Sequence, residues 1–449
     1  MLSLDSYMNP SAQTDQLIVY RPVTRHIFIV SLASLLLFLM IAYPMVYSVL
    51  YVKATLFGVL LLIAIIRVMQ LHSIRVSPRI FFWSYFLCLM AAGYFIEGAT
   101  QNIDYAYREG RVYFLWPMIY ALLLVLISTA GDLRFIFKIV IFSSIYIGAY
   151  GLLYTLQTVG LIPQLEVINL LALNDVQAVG VHGNYMQVLI SGLNSLPFLF
   201  PFVVTLIYVS YKSSIWNIGR VWLWLSLGLQ LALILVSGRR ALWVLIVITP
   251  IILYFATIIA RQWSRKLIGY CVVVLLVVAG IGVGISTIKW GFRYNNVFTI
   301  LMNTFKFTGT NDASNLIRAA QFDALIHGWS SAPIFGHGFG TFPSSYIRAP
   351  DMPWSYELYY MALLFHIGIV GILIYGVAIL WLLRKAIHIA RIDSISAWFA
   401  LPAIMGLIGM LIATATNPYL DRFDGMWTVF ILIAVINVFW MYGPSVSTC

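Results

Sequence analysis

The stretch "ILVSGRRALWVLIVITPIILYFATII", residues 234–259, places two adjacent arginines between two apolar runs. The run after Arg240 is long enough to cross a bilayer as one helix, which takes about 20 apolar residues. The residues before Arg239 end a second run of the same kind. The stretch therefore predicts two membrane-spanning helices joined by a very short connection, because only helices and closed barrels can span lipid.

The rest of the chain repeats this pattern. Of its 449 residues, 62% are hydrophobic and only 9% are charged, whereas soluble domains carry about 25% charged residues. The apolar runs are continuous, which excludes the alternating strands of an outer-membrane barrel. We predict an all-α polytopic membrane protein with about twelve spans. They lie near 27–46, 54–70, 80–96, 112–129, 135–156, 186–209, 219–236, 241–259, 267–287, 357–382, 396–415 and 425–442.

The loop charges predict the orientation. Most lysines and arginines of the short connections fall on one side of the predicted bundle, so the positive-inside rule places both termini in the cytoplasm. The first 25 residues are polar and contain Asp5 and Asp15, unlike a signal peptide. The predicted divisions are a cytoplasmic tail (1–26), spans one to nine (27–287), a large loop on the opposite side (288–356), and three spans with a short tail (357–449).

Composition also limits the function classes. The net charge of +11 is spread over many short loops, which indicates contact with an anionic lipid bilayer and no nucleic-acid surface. Of the three cysteines, Cys88 and Cys271 lie in apolar runs and Cys449 is the last residue. This usage predicts neither a disulfide framework nor a metal site.

Arg239 and Arg240 emerge on the non-cytoplasmic side, against the charge rule. They lie at the start of a helix, where free N–H groups and the helix dipole favour an anion. Guanidinium groups match phosphate oxygens in pairs. The pair therefore predicts a site for a phosphate-bearing lipid, the alternative being that both side chains reach lipid headgroups.

The large loop contains "DASNLIRAAQFDALIHGW", residues 312–329. An amphipathic helix is predicted here, to lie on the bilayer or over the bundle. Its apolar face is formed by Leu316, Ile317, Ala320, Ala324 and Leu325. If the helix covers the bundle, Arg318 faces the arginine pair; otherwise Arg318 belongs to a solvated face.

Two further motifs follow. In "GHGFG", residues 336–340, alternating glycines predict a tight turn with positive φ angles. We interpret His337 as structural, the alternative being a turn that approaches a substrate with His337 at its edge. Glu357 opens span ten, where a carboxylate is stabilised by the helix dipole or acts as a general base on a hydroxyl. His366, deeper in that span, is interpreted as a packed bundle residue.

The last turn on this side is "TNPYLDRFDG", residues 416–425. It is interpreted as either the rim of a site or a solvated loop. Its polar and charged side chains are Asn417, Asp421, Arg422 and Asp424.

In their order, these elements resemble the bacterial O-antigen polymerase and O-antigen ligase superfamily (Wzy and WaaL type). "SGRRAL" resembles the family's Ser-Arg-Gly-Ala element, with Arg239 at the arginine position. The segment 317–342 resembles a loop element with an arginine, a tryptophan and a Gly-x-Gly-x-Gly turn, and "TNPYL" resembles another family feature. Aligning Gly368 and Gly371 with the family's glycines puts Glu357 where a ligase has its essential histidine, which favours the polymerase.

The resemblance implies an inner-membrane enzyme that works at the periplasmic face on undecaprenyl-diphosphate-linked oligosaccharides, without metal or cofactor. A membrane protein that regulates chain length is a further partner that the resemblance allows. Arg239, Arg240 and Arg318 would stabilise the leaving diphosphate, and Glu357 would accept the proton. Further candidates for substrate contact are His337, Gly338, Tyr360, Asn417 and Arg422. Two alternatives stay open: a ligase that transfers glycan to lipid A–core, and a flippase for lipid-linked oligosaccharides. A flippase is expected to carry charges near the middle of several spans.

Overall fold

The computed structural model describes residues 23–44, 46–71, 76–172, 178–182, 185–212, 219–264 and 313–442, with four single positions between 267 and 276. About 80% of the structure is helical. The helices are α1 (Val23–Ala42), α2 (Leu50–Leu71), α3 (Pro78–Ala99), α4 (Ile103–Leu123), α5 (Ala130–Thr158), α6 (Glu166–Leu171), α7 (Leu196–Lys212), α8 (Arg220–Ser237), α9 (Arg240–Ile259), α10 (Ala313–Ser331), α11 (Tyr359–Ala390), α12 (Ser394–Thr414) and α13 (Trp427–Tyr442). The strands are β1 (Ala178–His182) and β2 (Tyr185–Leu189).

Within these described residues, nine helical stretches are long and apolar enough to cross a membrane. Two shorter apolar helices, Phe28–Ala42 and Trp427–Trp440, accompany them. The protein is thus consistent with a multi-pass helical membrane protein, as predicted. Every predicted span except the ninth coincides with one of these helices, and the ninth, 267–287, lies almost entirely outside the described residues.

Two predicted spans begin in the wrong place. The fourth was predicted from residue 112, but α4 starts at Ile103, where the Asn102 side chain accepts a hydrogen bond from the Tyr105 amide at 3.0 Å. Charged residues in the first turns of α4 interrupt the apolar pattern and concealed this start. The sixth was predicted from residue 186, where β1 and β2 form an antiparallel hairpin and α7 begins only at Leu196.

The centre of the bundle is formed by α7 and α12. Most side chains of α7 between Leu196 and Val209 are fully buried. A Cβ atom on Gly409 of α12 would lie 2.4 Å from the Pro197 carbonyl oxygen, so the two helices touch through backbone. Small residues permit such close approach where helices pack in a membrane.

The described helices define two ends of the bundle. Arg239, at the start of α9, contacts Tyr419, in the turn after α12. At the other end, the Gln262 side chain donates to the Ala390 carbonyl at 3.1 Å, which joins the ends of α9 and α11. Helices α9 and α11 therefore run in the same direction. We call the end where α4, α9 and α11 begin the site end.

Helix α11 is broken by a chain segment from outside it. Gly368 has φ 61°, which interrupts the helix, and the amides of Ile369 and Val370 donate to the carbonyls of Pro333 and Ile334 at 3.0 and 3.1 Å. We call residues 333–341 the glycine segment. Non-helical backbone is tolerated at membrane depth only where protein surrounds it.

The glycine turn has the predicted conformation. Gly336, Gly338 and Gly340 have φ angles of 75°, 83° and 80°. The Gly338 amide donates to the His366 carbonyl at 2.9 Å and the Phe339 amide to the Tyr94 carbonyl at 3.0 Å. The sequence predicted a turn in a loop, whereas the structure inserts this turn between α3, α4 and the broken α11.

Candidate functional site

A cavity of about 190 Å³, which we call the charged cavity, opens at the site end. Its walls come from the start of α4, the start of α11 and the connections after α1 and α12. The ionisable side chains that line it are Lys53, Arg108, Glu109, Arg111, His366, Asp421, Arg422 and Asp424. Aromatic walls with a few converging polar groups are typical of a binding site, and here they include Tyr47, Trp116, Trp354, Tyr356 and Tyr359.

Helix α4 contributes two exposed arginines to this cavity. The Arg108 guanidinium lies 5.3 Å from the Trp354 ring centroid, and its Nη1 is 3.4 Å from the Asp351 carbonyl oxygen. The Arg111 guanidinium lies 5.8 Å from the Tyr107 ring centroid. These cation–π contacts orient both guanidinium groups without neutralising their charge, so an anionic ligand can meet them.

Glu109 and His366 form a buried pair that the sequence analysis missed. His366 Nδ1 lies 2.9 Å from Glu109 Oε1, and the side chains are 1% and 8% exposed. His366 Nε2 donates to the Thr341 carbonyl at 2.9 Å, because a carbonyl can only accept. The second carboxylate oxygen of Glu109 accepts from the Gly340 amide. The Glu109–His366 pair thus ties α4 and α11 to the glycine segment, and His366 is a packed bundle residue, as interpreted.

Lys53 and Asp424 form a second buried pair, with Nζ and Oδ2 3.2 Å apart and exposures of 1% and 3%. Lys53 also donates to the Tyr43 carbonyl. The sequence analysis missed this lysine because the predicted second span begins one residue later. The pair holds the start of α2 against the turn after α12.

Arg239 lies beside the charged cavity and not among the residues that line it. It precedes α9 directly after Gly238, which is left-handed with φ 67°. Its Nη1 donates to Asn194 Oδ1 at 2.9 Å and lies 3.4 Å from the Tyr419 hydroxyl. Tyr419 follows Pro418, which lines the cavity. Arg240 is the first residue of α9 and, like Arg239, is half-buried.

Arg318 and Glu357 meet in a second cationic group. Arg318 Nε lies 3.0 Å from Glu357 Oε2, and Arg348 Nη2 lies 3.0 Å from Glu357 Oε1. The Glu357 amide donates to the buried Gln321 side chain at 2.9 Å. We call Arg318, Arg348 and Glu357 the Glu357 cluster. It lies next to Tyr356, which lines the charged cavity.

The predicted apolar face of the loop helix is only partly correct. Ala324 and Leu325 of α10 are buried, but Leu316, Ile317 and Ala320 are exposed. The buried position between them belongs to Gln321, whose side-chain oxygen accepts a hydrogen bond from the Glu357 amide. A polar residue that gains a specific partner can therefore occupy a face that hydrophobic spacing assigns to apolar residues.

The remaining predicted contact residues occupy separate places. His337 Nε2 lies 2.9 Å from the Gly328 carbonyl, and its ring stacks on Phe365 with centroids 4.6 Å apart. Tyr360 donates to the Leu411 carbonyl at 2.7 Å. Asn417 Nδ2 lies 3.5 Å from the Thr416 hydroxyl. Gly338 lies in the glycine segment, and of these five residues only Arg422 lines the charged cavity.

His337 lines a second, uncharged cavity of about 250 Å³, the neutral pocket. Ser331, Ser344 and Ser345 supply hydroxyl groups to it, and Phe342 is one of its apolar walls. Thr341 also lines the neutral pocket, and its carbonyl accepts from His366 of the charged cavity. The two cavities are therefore linked through the hydrogen bond between His366 and Thr341.

Asp421 differs from the other carboxylates of the charged cavity. Its Oδ1 is buried and makes no hydrogen bond within the described structure; Arg422 Nε lies 3.5 Å away. Burial raises the pKa of Asp421 to about 7, helped by the charges of Glu109 and Asp424 and opposed by Arg422. A carboxyl group of this kind is poised to exchange a proton near neutral pH.

Comparisons with known proteins give no assignment. No protein-family model, no curated protein and no solved structure matches this chain. The function is therefore inferred from the chemistry of its own residues.

Proposed function

We propose that this protein is a membrane glycosyltransferase that polymerises a surface glycan, an O-antigen or a related polysaccharide, from undecaprenyl-diphosphate-linked repeat units. The site end would face the periplasm, on the side that the loop charges predict. The observation that carries the proposal is the charged cavity, where three arginines and a lysine meet three carboxylates between aromatic walls. This site suits a ligand that joins a strong anion to a neutral, hydroxyl-rich group.

The proposed reaction needs no nucleotide. A hydroxyl of the acceptor repeat unit attacks the anomeric carbon of the donor glycan, and the bond to the diphosphate oxygen breaks. The diphosphate leaves with the electron pair, so negative charge grows at the cavity. Preorganised cations aimed at such charge usually give the largest catalytic contribution.

The arginines fall into two groups in this proposal. Arg108, Arg111 and Arg422 line the charged cavity and would meet the diphosphate there. Arg239 and Arg240 lie beside it at the start of α9, where the helix dipole adds to their charge. Arg318, which the sequence predicts as a diphosphate ligand, is bound to Glu357 and would have to exchange this partner for a phosphate oxygen.

The neutral pocket suits the glycan part of the substrate. Its hydroxyl groups and the His337 ring nitrogen can exchange hydrogen bonds with sugar hydroxyls. Because the described residues that line it include no lysine, arginine, aspartate or glutamate, this pocket would bind sugar without competing for the diphosphate. The division into an anion-binding charged cavity and a neutral pocket supports an enzyme that binds both the diphosphate and the glycan of a lipid-linked saccharide.

The proposal is tested by replacing Arg239, Arg240, Arg318 and Glu357 singly with Ala in a strain deleted for this protein. Surface polysaccharide is then separated as a ladder. We expect Arg239→Ala to leave single repeat units on lipid A–core, because the loss of one charge-stabilising group lowers turnover by about 100- to 1000-fold. Arg384→Ala, at an exposed position near the opposite end of α11, is the matched control and should keep the full ladder.

Other results would point to other functions. Complete absence of attached repeats, with finished chains kept on the lipid carrier, would indicate the ligase. Repeat units confined to the cytoplasmic leaflet would indicate the flippase. Normal ladders from all four variants would contradict the roles of these four residues, and normal ladders from Arg108→Ala, Arg111→Ala and Arg422→Ala would contradict the charged cavity as the site.

A further inference from the structure

The carboxylates at the site end are not equally available. Both oxygens of Glu357 are bound by arginines at 3.0 Å. Both oxygens of Glu109 are engaged, by His366 and by the Gly340 amide, and Asp424 is paired with Lys53. Asp421, at the wall of the charged cavity, has an oxygen, Oδ1, that makes no hydrogen bond and lies 3.5 Å from Arg422 Nε.

We propose that Asp421 is the catalytic proton acceptor of this glycosyl transfer, in place of Glu357, which the sequence predicts for that role. The inference rests on the proposed function. A catalytic base must offer a lone pair to the attacking hydroxyl within hydrogen-bond reach. Glu357 would first have to break two ion pairs at 3.0 Å, whereas Asp421 Oδ1 makes no hydrogen bond and has one longer ion pair, with Arg422 at 3.5 Å.

The surroundings of Asp421 suit a base that works near neutral pH. Burial is the main cause that raises its pKa to about 7, and the carboxylates of Glu109 and Asp424 act in the same direction. Arg422 opposes them. A base is most effective when its pKa lies near the working pH. The other ionisable groups that line the same cavity are Tyr47, Lys53, Arg108, Arg111, Tyr113, Tyr356, Tyr359 and His366.

The step balances as follows. The acceptor hydroxyl gives its proton to Asp421, and its oxygen forms the new bond to the anomeric carbon of the donor. The bond from that carbon to the diphosphate oxygen breaks, and the electron pair leaves with the polyprenyl diphosphate. The products are the extended lipid-linked glycan, the free carrier diphosphate and a protonated Asp421, which later returns its proton to water.

Arg422 would couple the two halves of the step. Its Nε lies 3.5 Å from Asp421 Oδ1, so it faces a negative charge before the reaction. When Asp421 becomes neutral, this attraction is lost at the moment when charge grows on the leaving diphosphate. The guanidinium group is then free to stabilise that diphosphate.

The test uses the purified full-length protein in proteoliposomes. The probe is lipid-linked repeat unit extracted from the strain deleted for this protein, and initial polymerisation rates are measured between about pH 5.5 and 8.5. Below the pKa of the base, the wild-type rate should rise about tenfold per pH unit. Asp421→Asn should lower kcat by about 100-fold or more, leave KM within about threefold, and abolish this rise.

Two further variants make the result specific. Asp421→Glu should recover part of the rate and shift the pH at which the rate levels off. Asp323→Asn, which changes an exposed carboxylate of α10, should keep the wild-type profile. If Asp421→Asn does not fold, the pH–rate profile of Asp421→Glu is the test. A profile that levels off at the same pH as that of the wild type overturns the role of Asp421.

The inference and the proposed function can fail separately. A wild-type protein that joins no repeat units, although it binds or translocates them, overturns the proposed function. A wild-type protein that polymerises while Asp421→Asn keeps its rate and pH profile overturns only the role of Asp421. If Glu357→Gln, and not Asp421→Asn, loses the rise of the polymerisation rate with pH, Glu357 is the proton acceptor.

Discussion

The Glu109–His366 pair and the Glu357 cluster have nearly the same geometry. Each carboxylate meets its partner side chain at 2.9 to 3.0 Å. Their surroundings differ, because Glu109 and His366 are 8% and 1% exposed, whereas Glu357 and Arg318 are 21% and 29% exposed. Burial, and not distance, therefore separates a contact that fixes the fold from one that can be exchanged for a ligand.

The two regions also hold different parts of the chain. The Glu109–His366 pair fixes the glycine segment inside the broken α11. The Glu357 cluster fastens α10 and the following loop to the entrance of α11. Three substitutions test whether this contrast is correct.

The largest effect is expected from Glu109→Ala. It leaves His366 buried without its partner, and removing one member of a buried pair typically costs about 3–5 kcal/mol. Unfolding in a mixed detergent titration, followed by tryptophan fluorescence, measures the loss. The double variant Glu109→Ala, His366→Ala should lose clearly less than the sum of the two single changes. Additive losses would show that the two side chains act independently.

An intermediate effect is expected from Gly98→Ala on α3. A Cβ atom there would lie 1.8 Å from the Phe339 carbonyl oxygen, so the glycine segment must shift, at a cost of about 1–3 kcal/mol. Gly93→Ala on the same helix is the matched control, because its Cβ meets nothing within 4 Å. The same titration should show a loss for Gly98→Ala and none for Gly93→Ala. Equal stability of the two variants would mean that the glycine segment is held by its charged contacts and not by close packing against α3.

The smallest effect on stability is expected from Arg348→Ala. The lost ion pair is partly exposed, and such pairs contribute about 0–1 kcal/mol. Thermal unfolding at low and high salt should differ little between this variant and the wild type. A loss as large as that of Glu109→Ala would remove the contrast between the two regions.

Much of the fold follows from local sequence. Continuous apolar runs identify the long helices, and alternating glycines identify the positive φ angles of residues 336–340. The hairpin of β1 and β2 could not be found in this way, because its pairing depends on contacts between strands. The early start of α4 was also hidden, since a polar cap and a charged first turn interrupt the apolar period.

The site was less predictable than the fold. Arg239 stands out because two adjacent arginines interrupt an apolar sequence, and Glu357 because it opens the predicted tenth span, although α11 itself begins at Tyr359. Glu109 carries no such signal, since its partner His366 lies on a distant helix and only the folded chain brings them together. The pairing of Lys53 with Asp424 was missed for the same reason. Pairs that compensate buried charge are a property of the packed bundle and not of either segment alone.

The broken α11 sets an order of assembly. After Gly368, the amides of Ile369 and Val370 have no partner inside the helix and donate to the Pro333 and Ile334 carbonyls. Pro333 and Ile334 are synthesised before α11. The glycine segment in turn donates hydrogen bonds to Tyr94 of α3 and Glu109 of α4, which are synthesised earlier still. A nascent α11 that inserted first would expose bare amides to hydrocarbon, where each costs several kcal/mol. We therefore expect the chain to mature from its N-terminal helices toward α11, and the cavity is completed later still, when the turn after α12 adds its wall.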